Sequence, residues 1–162
     1  MSLPSYMRER TIPPVESKGA AMNPIFLLGR LIFGGYFAYN GINHFMNRQM
    51  LAGYAQSKGV EAAEIAVPAS GALILAGGLS VISGMRPRAG LLMILSFLIA
   101  VSMRMHRFWE ISDPAQQMPE MINFTKNMAL VGAALMLMQI PEPWPLALAR
   151  EEREQHALVK VR

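Results

Sequence analysis

Tyr36, Asn40 and His44 are spaced by four residues. On a helix they place a phenol, an amide and an imidazole in one stripe. Further along, Arg104-Met105-His106-Arg107-Phe108-Trp109-Glu110 closes one apolar run, while Asn123, Lys126 and Asn127 open another. Imidazole accepts or passes protons near neutral pH, ammonium and amide groups donate to carbonyl oxygens, and an indole offers a ring face. Such a set suits a quinone-like head group. The candidate ligand-binding residues are therefore His44, Arg104, His106, Trp109, Lys126 and Asn127, with Tyr36 and Asn40 continuing the intramembrane polar stripe. Arg30 stands apart, toward the opposite end of the first apolar run.

Each of these residues has a plainer reading. Arg30 and Lys126 can snorkel to lipid phosphates, and Trp109 can belong to an interfacial aromatic belt. The Tyr36–Asn40–His44 stripe can be interhelical hydrogen-bond glue, worth of order 0.6 kcal/mol per bond. The delivery of His, Lys, Asn, Arg and Trp to one end favours a pocket over these. A haem between His44 and His106 is disfavoured, because both lie at helix ends and the chain has no cysteine for attachment. His106, Glu110 and Asp113 are spaced plausibly for a metal, yet Asp113-Pro114 reads equally as a helix N-cap followed by an N1 proline. No metal is expected. The third histidine, His156, falls in a charged tail and is expected to be solvated. With no cysteine, disulfides, thiolate metal sites, iron–sulfur ligation and thiol–disulfide catalysis are excluded.

The elements that must position these groups are membrane spans. Of 162 residues, 52% are hydrophobic and 16% charged, against roughly 25% charged in soluble domains. Half of the charged side chains lie outside Met22–Ile140, in about a quarter of the chain. A soluble domain would need polar residues throughout. A bilayer core takes about 20 apolar helical residues, and four windows fit: about 24–45, 67–83, 89–105 and 121–140. The runs are continuous and do not alternate, which argues against strands. The expected fold is an all-α, four-transmembrane-helix bundle. With four spans, nine Lys and Arg fall on the side of the termini and five on the other, so both termini are read as cytoplasmic. The net charge of +4 reflects that excess, and no basic aromatic module points to nucleic acid.

Residues 1–22 read as a disordered polar tail, with Met22 a second candidate translation start and no signal-peptide cleavage pattern. Residues 141–162 read as a charged cytoplasmic tail in which Trp144 would sit at headgroup level. Between them, residues 23–140 form the transmembrane domain. Lipid gives helices no hydrophobic reason to associate, so close packing needs small residues at helical spacing. Ala72, Ala76, Ser80 and Gly84 supply such a seam, as do Thr125, Ala129 and Ala133, and Gly34 and Ala38. A second copy or a partner subunit would use the same seams.

Gly29-Arg30, Gly41-Ile42-Asn43-His44, the His106-Arg107-Phe108-Trp109 segment and Phe124-Thr125-Lys126-Asn127 together resemble the DoxX family. Gly77-Gly78-Leu79 and the Arg86–Gly90 turn also fit, and the resemblance runs from about Asn23 to Gln139. It implies a small four-helix protein of the bacterial inner membrane. It also points toward quinone chemistry, as the membrane subunit of an oxidoreductase complex with a redox partner to carry electrons and no covalently bound cofactor. The alternative is a non-catalytic membrane scaffold or small-molecule carrier whose buried polar groups only fix packing.

Overall fold

The computed structural model describes residues 24–144, so the tail at 1–22, the Met22 start, His156 and most of the tail at 141–162 lie outside the described residues. The described residues form helices and turns, with no strand. Helix α1 spans Pro24–Met46, α2 Arg48–Ser57, α3 Ala63–Ser83, α4 Pro87–Met105 and α5 Pro114–Leu137. Among the described residues, three helices are long and apolar enough to cross a membrane: Pro24–Met46, Ala63–Ser83 and Pro87–Glu110.

Proline opens α1, α4 and α5, where its missing N–H has no intrahelical partner to lose. Asp113 caps α5, its carboxylate accepting the Ala115 N–H at 3.0 Å. The α3–α4 turn uses Gly84 in a left-handed conformation, φ 69°, a stop that costs a glycine nothing sterically. The Ser80 hydroxyl donates across it to the carbonyls of Met85 and Arg86, at 2.7 and 3.0 Å.

The element bounds differ from expectation in three places. Helix α3 begins at Ala63, ahead of the window at 67–83, which places Pro68 inside it. The carbonyl this leaves unbonded is that of Glu64, an exposed residue that water can satisfy. Helix α5 begins at Pro114, well ahead of the fourth apolar run, because Gln116, Gln117 and Glu120 continue the helix outside any apolar segment. Helix α2 was not anticipated at all. Its small apolar residues, Ala52 and Ala55, are buried with Ala63 and Val67 of α3.

α1 packs along α3, α3 on α4 and α4 on α5, with α2 laid on α3. Phe37, Ile74, Val81, Leu91, Ile94, Leu95, Leu98, Ala134 and Trp144 form the core. The α1–α3 seam is made by glycine: Gly34 and Gly41 face Gly78 and Gly71, at backbone approaches no side chain would fit. Gly34 and Ala38 are thus in the seam as expected. Ala72 and Ala76, by contrast, face outward, as do Thr125 and Ala129 on α5, whose buried positions are Glu120, Asn127 and Ala134. Glycine outcompetes alanine for closest approach to α1, while Ser80 of the anticipated stripe packs against Gly90 of α4.

Two residues at the far end turn inward. Trp144 is fully buried rather than presented to headgroups, with its ring edge-on to Phe26 at 5.3 Å. The Glu142 carboxylate holds this return by accepting the Arg88 N–H at the start of α4, at 2.8 Å. Arg30 is only 3% exposed. It donates to the Ile82 carbonyl at 2.9 Å instead of reaching out to phosphates. Carbonyls in the last turn of a helix have no intrahelical donor and carry partial negative charge, so α3 offers this cation a ready acceptor.

Candidate functional site

The C-terminal end of α1, all of α2, the N-terminal end of α3 and the C-terminal end of α4 meet at one edge of the protein. Between them is a cavity of about 320 Å³. Leu51, Ala55, Val60, Ala66, Val67, Phe97, Ala100, Val101 and Met105 make its walls almost wholly apolar. Five polar side chains complete the lining: His44, Tyr54, Ser70, Arg104 and His106. A cavity at the small end of the ligand-pocket range, greasy with a few polar groups, suits one ring-sized head group.

His44 is positioned by its own helix. The Asn40 side chain donates to the Tyr36 carbonyl at 2.8 Å, and His44 Nδ1 meets the Asn40 carbonyl at 2.7 Å. The three-residue stripe is therefore a chain of side-chain-to-backbone bonds along α1. A carbonyl oxygen only accepts, so Nδ1 carries the hydrogen and Nε2 is the nitrogen left for a ligand. Phe97 of α4 meets the imidazole edge-on at 5.9 Å.

His106 is positioned from a distance in sequence. Glu120, 8% exposed on α5, accepts His106 Nδ1–H at Oε2, 2.7 Å away, and pairs with the Lys58 ammonium at Oε1. Lys58 follows α2, and its ammonium lies 5.6 Å from the Tyr54 ring centre. One carboxylate thus ties the α2–α3 connection, the end of α4 and α5 together. It also sets the tautomer of His106. The Glu120 hydrogen bond is the main cause that holds the Lys58 ammonium above its ordinary range. Burial by itself would push the Glu120 carboxyl up. The hydrogen bonds that Lys58 and His106 donate, with the Lys58 charge, outweigh it and leave that carboxyl below its ordinary range.

The six residues proposed from sequence divide into two groups. His44, Arg104 and His106 line the cavity. Trp109, Lys126 and Asn127 lie elsewhere on the α4–α5 side. Trp109 forms an aromatic cluster with Phe108 and Phe124, ring centres 5.2 to 5.6 Å apart. Lys126 is exposed and donates to Asn123 at 3.0 Å. Asn127 is buried and donates to the Ser102 hydroxyl at 3.1 Å, pinning α5 to α4. Tyr36 faces outward with its ring edge-on to Phe37.

The alternative metal set is engaged separately. Glu110 pairs with Arg107 at 3.0 Å, Asp113 caps α5, and His106 is held by Glu120. Among the described residues no group of three His, Cys, Asp or Glu side chains converges on one point.

Sequence reading missed Lys58, Glu120, Tyr54 and Ser70. Glu120 had a usable signal: it is an acidic residue placed one position ahead of the fourth apolar run. Lys58 had none, since its role depends on α2 folding back onto α3.

The DoxX family model matches residues 25–107, half of the chain and every cavity-lining residue. No curated protein and no solved structure matches it.

Proposed function

The chain belongs to the DoxX family and is a multi-pass membrane protein, and from that premise we propose that it is the membrane subunit of a quinone-linked oxidoreductase complex. In this reading it sits in the bacterial inner membrane and crosses it four times, with α5 from about Met121 onward the fourth crossing and both termini cytoplasmic. The head group of a quinone-like molecule enters the cavity at the extracytoplasmic edge, and a partner subunit delivers or removes electrons. The observation that carries the reading is the cavity: apolar walls sized for one ring, with two imidazoles whose orientation is fixed from outside it. Apolar walls take the ring at about 25 cal/mol per Å² buried. Arg104 and Tyr54 offer its oxygens hydrogen-bond donors. A bound quinone supplies the two-electron chemistry; this chain's residues bind it, orient it and exclude water.

Filling the cavity tests the assignment without touching a polar group. A short-tailed benzoquinone should raise the thermal midpoint of the detergent-solubilised protein, by the linkage that any native-state ligand obeys. Val101→Phe should remove most of that rise while leaving the unliganded midpoint close to wild type. An undiminished rise in Val101→Phe would place the ligand elsewhere. The scaffold reading draws on the Lys58–Glu120–His106 trio, which joins three segments regardless of any ligand. On that reading no quinone raises the midpoint at all.

A further inference from the structure

The two cavity histidines share a feature that bears on the redox form of the ligand. His44 gives its Nδ1 hydrogen to a backbone carbonyl, and His106 gives its own to a carboxylate, each at 2.7 Å. Both partners can only accept. In the neutral rings both Nε2 atoms are therefore acceptors, and among the described residues neither has a hydrogen-bond donor. Apart from Tyr54, Ser70 and Arg104, the rest of the cavity lining is apolar. Ser70 adds no donor, because its hydroxyl is spent on the Val67 carbonyl at 2.9 Å. The remaining donors, Arg104 and Tyr54, are exposed, so their bonds to a ligand compete with water.

A quinone ring carries two carbonyl oxygens, which are acceptors. Set against two imidazole acceptors in an apolar space, it leaves all four lone-pair groups unsatisfied, a desolvation cost with no return. A dihydroxyaromatic ring of the same shape carries two O–H donors. It satisfies both imidazoles and the hydroxyl hydrogens together. Resting on the quinone-pocket reading above, we propose that the cavity selects the reduced, dihydroxy form of its ring ligand over the oxidised quinone, through the two Nε2 acceptors of His44 and His106. The selection is one of binding, set by fixed tautomers, and it makes this site a receiver of quinol.

The test compares three ligands of one shape on the full-length protein in lipid nanodiscs, anaerobically and in mildly alkaline buffer. The ligands are a decyl-substituted benzoquinol, the matching quinone, and the quinol's dimethyl ether, which keeps the ring and loses both O–H groups. Kd is read from quenching of tryptophan fluorescence. The quinol should bind at least about tenfold tighter than the quinone, which corresponds to roughly 1.4 kcal/mol, and the dimethyl ether should lose that advantage. Quinone binding as tight as quinol, or an ether as tight as the quinol, overturns the selection and leaves the pocket standing. Failure of all three to bind overturns the quinone-pocket reading itself. The ligand series needs no variant, so loss of folding cannot obscure the result.

Discussion

Replacing Glu120 with alanine should cost about 2–3 kcal/mol of stability, read as a lower unfolding midpoint in detergent. Removing one member of a buried ion pair strands the others, with typical costs of about 3–5 kcal/mol. The loss falls below that range because the Lys58 side chain is 27% exposed and can recover water. His106 has less recourse, being 14% exposed, and its ring would lose the partner that fixes its tautomer. Glu110→Ala removes an exposed pair with Arg107 and should cost less than about 0.5 kcal/mol. Equal midpoints for the two variants would show that the Glu120 trio holds nothing. The same trio predicts a pH profile. The Glu120 carboxyl lies below its ordinary 4.5, so its contribution is complete above about 4.5 and is lost as pH falls through the lower, folded value. The Lys58 ammonium lies above its ordinary 10.5, so its contribution is complete below about 10.5 and is lost as pH rises through the higher, folded value. Wild type should therefore show a plateau between those limits, and Glu120→Ala should flatten both shoulders.

Gly78→Ala should be at least as damaging. A Cβ at Gly78 would stand 2.5 Å from the Gly34 carbonyl oxygen and 2.6 Å from the Ala38 nitrogen. Both are backbone atoms, so no side chain can step aside, and α1 must move off α3. Overpacking of this kind typically costs about 1–3 kcal/mol. The upper part of that range applies here, because α1 and α3 share one long glycine-lined seam, and Gly78→Leu should not fold. Gly35 is the internal control: a Cβ there meets nothing within 4 Å. Gly35→Ala should be neutral or gain up to about 1 kcal/mol from helix propensity. A Gly78→Ala protein as stable as Gly35→Ala would mean that the two helices do not lie this close.

What was legible in the sequence was what periodicity and hydropathy encode. The first three apolar runs became α1, α3 and α4 because proline starts, a glycine stop and continuous Leu, Ile and Ala leave few alternatives. The spacing of Tyr36, Asn40 and His44 foretold one helical stripe, and the structure links them by successive bonds. Rotation was not legible. Ala72 and Ala76 repeat as regularly as Gly71 and Gly78, and only the partner helix decides which pair it meets. Arg30 and Trp144 were misplaced for a related reason: each is drawn inward by a specific neighbour, the Ile82 carbonyl and Phe26. Half of the candidate site was readable because His44, Arg104 and His106 close apolar runs that end at one edge. Glu120 and Lys58 were not, since their meeting requires α2 and the polar start of α5, neither of which hydropathy marks.

The most direct measurement is photolabelling of the protein in native membranes with an azido-quinone, followed by mapping of the adducts by mass spectrometry. Competition by unlabelled quinol identifies the specific adducts. Adducts should concentrate on the cavity lining, at Leu51, Tyr54, Val101 and the neighbourhood of His44 and His106, and quinol should suppress them. Labelling spread over outward-facing residues such as Ile32, Tyr39, Leu135 and Met136, unaffected by quinol, would contradict the account.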